Sequence, residues 1–251
     1  MTERFTTILA RIAVVAALFA LWEALSRSGL VNPRLLPAAS DTLRTLGELL
    51  QRGSVRNDLA VTASEVLAAF ALAVPFGCLV GFLIAEHRYF AEVVKPLLFF
   101  AFSIPKSIFL PMFILVFGVG FSEKVGFGFF STIFIVIMST TTAVESVKLE
   151  YLTVARSYGA TRAQTAFRVY LPSMLPVLLE ALRISMIFNL TGEILAEMYA
   201  SRDGIGHQIA TWGENFQMPQ LLAGVVIVAA IAILFNEMVR WVEARCSHWR
   251  T

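Results

Sequence analysis

The sequence predicts an all-α polytopic membrane protein with six transmembrane helices. Hydrophobic residues make up 57% of its 251 residues and charged ones 15%, and mean hydropathy is +0.73. Soluble domains are about 45–50% apolar and about 25% charged. Six segments are long and apolar enough to cross a hydrocarbon core of about 30 Å, which takes roughly 20 residues. A net charge of +2 gives no electrostatic case for a nucleic-acid partner. His87, His207 and His248 lie far apart, with no cysteine or carboxylate set at metal-ligand spacing. Cys78 in an apolar run and Cys246 in the charged tail do not suggest a disulfide.

The first span runs from about Ile8 to Leu25. Its basic flanks and apolar stretch from Ile12 to Trp22 also fit a cleaved signal peptide; kept as a helix, it makes an even number of spans with both termini on one side. Residues 27–57 form a polar loop in which Ser40 or Asp41 is placed to cap a short amphipathic helix through Leu50, lying along the membrane surface. The second span covers Leu59 to Ala85, and the third Val93 to Val119. Within the third, "FSIPKSIFLP" carries Pro105 and Pro111, which interrupt the hydrogen-bond ladder and predict a kinked or two-part helix. Val125 to Val144, Pro172 to Ala200 and Pro219 to Val242 complete the set. With the N-terminus inside, eleven Lys and Arg residues fall on the inner side and seven on the outer, five of those seven in the 27–57 loop. The positive-inside bias therefore predicts cytoplasmic termini.

Residues 145–171 read as a two-helix elbow between the fourth and fifth spans. From Val144, Val147, Tyr151, Val154 and Tyr158 recur at steps of three and four and predict one apolar stripe on a helix. Gly159 follows, where a helix commonly stops in the left-handed conformation. Thr161 with Gln164 matches a capping box, and Ala163, Ala166, Phe167, Tyr170 and Leu171 line one face of a second helix. Pro172 then suits the first turn of the fifth span. Arg156, Arg162 and Arg168 are six residues apart and do not share a face. Two readings fit them: arginines reaching lipid phosphates, or a docking surface of Tyr and Arg for a soluble partner.

Polar residues inside the spans are candidates for a translocation path. Lys106 stands in the broken third span, with snorkelling to an interface as the plainer reading. Glu180 and Arg183, three residues apart, suit an ion pair, and Arg183 lies roughly 16 Å along the helix from Pro172 at 1.5 Å per residue. Asn189, Glu193 and Glu197, at steps of four, share a face that should meet the bundle interior or a water-filled cavity. Ser139 to Thr142 add hydroxyls whose common use is a bond back to helical carbonyls. "DGIG", Asp203 to Gly206, is a turn by composition. No nucleophile–base pair is readable, and no Gly-x-x-x-x-Gly-Lys-Ser/Thr stretch cradles a phosphate.

"GATRAQTAFRVYLPSMLP" resembles the cytoplasmic loop of permease subunits of binding-protein-dependent ABC importers, with Gly159, Phe167, Val169, Leu171 and Pro172 at the family's positions. Thr153, Val154 and Ala155 stand where the family has Glu-Ala-Ala, so the acidic member is absent; Glu150 lies one turn earlier. "LLPAASDTL", "FSIPKSIFLPMFILVFGVG", "AEMYASRDGIGHQI" and the basic tail extend the likeness over nearly the whole chain, in the branch that imports nitrate, sulfonates, taurine, bicarbonate and related small anions. The resemblance implies a type I importer permease fold in a bacterial inner membrane, with two copies forming the path. It implies that Tyr158, Gly159, Ala160, Thr161, Arg162, Phe167, Leu171 and Pro172 meet a cytosolic ATPase, which carries the ATP and Mg that this chain does not bind. It also implies a periplasmic or lipid-anchored binding protein docking near Asp203 to Gly206. An ion-gradient-driven transporter is the alternative, for which Glu193 and Glu197 suit proton coupling; no internal repeat supports it.

Overall fold

A computed structural model describes residues 2–32 and 34–246; His248 and Arg250 lie outside the described residues. Every regular element among them is helical. Five helices are long and apolar enough to span a membrane, and a bent pair makes a sixth. Helix α1 (Thr2–Arg27) exposes Ile12, Val14 and Leu18, as a lipid-facing helix should. Its C-terminal end is tied down by polar contacts: Trp22 Nε1 donates to the Pro37 carbonyl at 3.0 Å and Ser26 Oγ to that of Leu36 at 2.8 Å.

Helix α2 (Ala39–Gln51) is the amphipathic helix expected in the long loop, but neither Ser40 nor Asp41 caps it. Ala38 holds the cap position without a side-chain bond. Ser40 instead donates from its amide and hydroxyl to Glu23 of α1, at 3.0 and 2.9 Å. A carboxylate on the neighbouring helix thus replaces the local cap. The apolar face of α2 does not lie open along a surface; Leu49 is buried with Val55, Trp212 and Ile227, residues of α3 (Gly53–Glu86), α10 (Ile205–Glu214) and α11 (Met218–Cys246).

The third span breaks by 78° between α4 (Arg88–Ser103) and a tight turn at Lys106–Phe109 that opens α5 (Leu110–Phe117). Ile104, before Pro105, is extended (φ −71°, ψ 129°), as a residue preceding proline prefers. Pro105 alone causes the break. Pro111 sits in the first turn of α5, where the missing N–H costs nothing.

Helix α6 (Phe121–Glu145) is the central post, packed between α3 and α9 (Leu171–Ala200). It begins four residues before the expected Val125, which draws Glu123 and Lys124 into the bundle instead of leaving them in an outer loop. Near its C-terminal end Thr141 and Thr142 bond back to Ile137 and Met138 carbonyls, at 2.9 and 3.1 Å. Gly128 sets the closeness of α6 to α9, since a Cβ there would collide with the Glu193 carboxyl.

Candidate functional site

The elbow leaves α6 through Ser146 and re-forms as α7 (Leu149–Ser157). This interruption changes the predicted stripe. Val147 falls between helices, Leu152 is the one residue of α7 that is buried, and Tyr151, Val154 and Tyr158 are exposed. Which face of so short a helix meets the bundle is decided by the entering turn, and that turn rotates Leu152 inward. Gly159 is left-handed (φ 69°), with its N–H on the Arg156 carbonyl at 2.9 Å and the Ala160 N–H on that of Ala155 at 3.0 Å. This is a Schellman close, and it requires the positive φ that glycine adopts without strain.

The capping box forms in full. Thr161 Oγ1 accepts from the Gln164 amide at 3.2 Å, and Gln164 Oε1 from the Thr161 amide at 2.9 Å. It starts α8 (Arg162–Thr165), which passes through a wide turn at Ala166–Tyr170 into α9. No break occurs at Leu171 or Pro172, so residues Arg162–Ala200 form one run of 39 residues. The wide turn lies just ahead of Pro172, whose ring and missing N–H disrupt the ladder there. The second half of the elbow therefore continues into the fifth span. Tyr158 and Phe167, 88% and 71% exposed, project from it with the exposed Leu149.

At the opposite end, α3, α6 and α9 enclose a polar network. Asn189, Glu193 and Glu197 do share a face, and each is 0% exposed. That face points at α3 and α6. Asn189 Nδ2 donates to the Val66 carbonyl at 2.8 Å, and the Thr132 hydroxyl lies 3.3 Å from Asn189 Oδ1. Glu197 accepts from the Thr62 hydroxyl at 2.5 Å and from the Gly206 amide at 2.7 Å. Thr62 Oγ1 accepts the Ile205 amide at 2.9 Å, and Asp58 accepts Gly204 N–H at 3.1 Å and Gln208 Nε2 at 2.8 Å. Side chains from two spans thus hold the amides that open α10, groups with no partner inside that helix.

Lys124, 3% exposed, pairs with Glu65 at 2.5 Å and donates to Ser201 Oγ at 3.1 Å. Glu123 and Glu193 are buried with neither carboxyl oxygen hydrogen-bonded among the described residues. Helical spacing marks Asn189, Glu193 and Glu197 in the sequence, whereas Asp58, Thr62, Glu65, Glu123 and Lys124 join them only in the folded chain. A signal existed: Asp58, Thr62 and Glu65 stand at i, i+4 and i+7, a polar stripe on an otherwise apolar helix.

Lys106 lines a cavity of about 320 Å³ at the 78° break, together with Ser107, Ser131, Phe188, Thr191 and Gly192. Its Nζ donates to the Phe102 carbonyl at 3.0 Å and stands 4.3 Å from the centre of that ring. No carboxylate is among the residues lining this cavity. The face of α9 turned to it carries Phe188, Thr191 and Leu195, the side away from Asn189, Glu193 and Glu197. Arg183 lines a separate cavity of about 480 Å³ between α9 and α11, with Glu180, Phe235 and Asn236. The five path candidates thus divide among three places: Lys106 at the break, Arg183 beside α11, and the Asn189 stripe inside the bundle.

A helical bundle that combines a broken span around a cationic cavity with an exposed elbow running into a neighbouring span is that of a multi-pass transport protein. Residues 73–248 match the binding-protein-dependent transport system inner membrane component family, and the chain belongs to it. It is similar to the taurine transport system permease protein TauC of Escherichia coli, 27% identical over 243 residues, covering 95% of this chain and 88% of that protein. It also resembles the putative aliphatic sulfonates transport permease protein SsuC of Bacillus subtilis, 26% identical over 235 residues, covering 94% and 85%. Its fold is the type I importer permease fold. An inward-facing structure of the MetNI methionine ABC transporter superposes with a TM-score of 0.65 at 19% identity, over 79% of this chain and 96% of that one. The relatives are permeases, not enzymes, and family membership favours the ATP-driven reading over an ion-gradient carrier.

Proposed function

We propose that two copies of this permease form an inner-membrane path for a small anion of the sulfonate kind, driven by a cytosolic ATPase bound at the elbow. The observation that carries this is the unbroken helix from Arg162 to Ala200. It begins beside the exposed Tyr158 and Phe167 and further on lines the Lys106 cavity through Phe188, Thr191 and Gly192. Closure of two ATPase subunits on ATP would draw the elbows together and tilt this helix as a rigid body, which changes the cavity's access. Tyr158, Gly159, Ala160, Thr161, Arg162 and Phe167 form the docking face, and Leu171 and Pro172 transmit its movement. ATP and Mg belong to the ATPase, both termini lie in the cytoplasm, and the α10 end meets the soluble binding protein. In the path, Lys106 receives the anion; Asn189, Glu193 and Glu197 keep α9 in register with α3 and α6 beside it. Arg183 acts along the lateral α9–α11 cavity.

The test is uptake of taurine or a short alkyl sulfonate into liposomes holding the permease, its ATPase and its binding protein. Uptake is expected to require ATP and to survive collapse of the ion gradients; the reverse pattern would restore the ion-gradient carrier. Gly159→Val should abolish ATPase association or coupled hydrolysis. A Cβ at Gly159 meets nothing within 4 Å, so the damage comes from the φ of 69° alone, worth about 1–3 kcal/mol for a residue unsuited to that region. Normal association and coupled hydrolysis in this variant would remove the elbow from the mechanism.

A further inference from the structure

Between the elbow and the inner ends of α3 and α6 lies a cavity of about 710 Å³, separate from the Lys106 cavity and bordering the docking face at Ala160 and Arg162. Its floor is apolar: Phe82 and Tyr170 meet edge to face at 5.6 Å, beside Val144 and Leu152. Its rim is basic, with His87, Arg156 and Arg162 facing one acid, Glu86. Arg162 stands 4.0 Å from Glu86, while the Arg156 guanidinium has no side-chain partner among the described residues. Tyr89 and Phe90 follow His87 and are exposed, and aromatic residues of that kind mark the headgroup level of a bilayer.

An apolar floor beneath a basic rim in which Arg156 is uncompensated, at headgroup depth, is complementary to one class of occupant. We infer that this hollow holds an anionic phospholipid, its phosphate at Arg156 and His87 and the start of its acyl chains on Phe82, Leu152 and Tyr170. The volume falls within the roughly 300–1,000 Å³ typical of small-molecule sites. Arginine is suited to phosphate through its fork of N–H donors. A soluble phosphate would leave the aromatic floor unfilled. Because Leu152 is the one buried residue of α7, such a lipid supplies packing under the elbow that the chain itself does not. This inference rests on the elbow being cytosolic, as proposed above.

The experiment is native mass spectrometry of the permease–ATPase complex released from nanodiscs containing equal phosphatidylglycerol and phosphatidylcholine. Preferential retention of phosphatidylglycerol is expected, falling several-fold in His87→Ala/Arg156→Ala and unchanged in Arg168→Ala, whose arginine is outside the hollow. Arg156→Glu alone should lower it as well. Equal retention of the two lipids, or equal phosphatidylglycerol in wild type and double variant, overturns the site. Retention by the isolated permease that disappears when the ATPase binds also overturns it, assigning the hollow to the partner protein. ATP-driven uptake measured on the same preparations separates the two readings. Uptake without lipid preference sinks the lipid site alone, whereas loss of ATP-driven uptake in wild type sinks the coupling reading.

Discussion

Lys124→Ala is expected to yield almost no folded permease. The substitution leaves Glu65, 1% exposed, as a buried charge without its 2.5 Å partner, amid Glu123, Glu193 and Glu197, which are buried too. Removing one member of a buried ion pair costs about 3–5 kcal/mol, a large share of the total stability of a typical domain. The lost contact to Ser201 also frees the segment leading to α10. Thermal unfolding of the detergent-solubilised protein measures the effect. Neutralising both partners, Glu65→Gln with Lys124→Met, should recover most of it, because the penalty comes from the unpaired charge and not from absence of the pair. A Lys124→Ala variant that melts with the wild type would show that the pair contributes nothing to the fold.

Lys106→Ala is expected to lower uptake of a sulfonate by on the order of tenfold or more, equivalent to about 1.4 kcal/mol of lost interaction. Lys106 is the charged side chain lining its cavity, and the hydroxyls of Ser107, Ser131 and Thr191 stand beside it. A cation in a confined, largely apolar site favours entry of an anion. Lys106→Arg should retain part of the uptake and Lys106→Glu none, with ATPase association preserved in each. Uptake unaffected by Lys106→Ala would leave the ammonium with a structural task, holding the Phe102 carbonyl across the proline break.

What the local sequence decides differs from residue to residue. The turn at Gly159 and the capping box of Thr161 and Gln164 involve partners within five positions, and both formed as the residue types require. The break at Pro105 is likewise local. Tyr151, Val154 and Tyr158 turned outward and Val147 fell between helices against the core, because periodicity identifies an apolar face without saying what covers it or where the helix is interrupted. Here a separate protein is the proposed cover. Asn189, Glu193 and Glu197 were visible as a face, yet the partners of Asn189 (Val66) and of Glu197 (Thr62 and Gly206) come from other elements.

By itself the sequence determined that this is a six-span helical membrane protein with a Gly-hinged elbow and a proline-broken third span, because hydropathy, capping and backbone conformation act over a few residues. Only the tertiary structure decided that Lys124 is buried against Glu65, that α10 is held by Asp58, Thr62 and Glu197, and that Lys106 stands apart from the Asn189 stripe. Those pairings join residues up to 150 positions apart. They depend on how α3, α6 and α9 rotate about their axes as they pack, which no local pattern records.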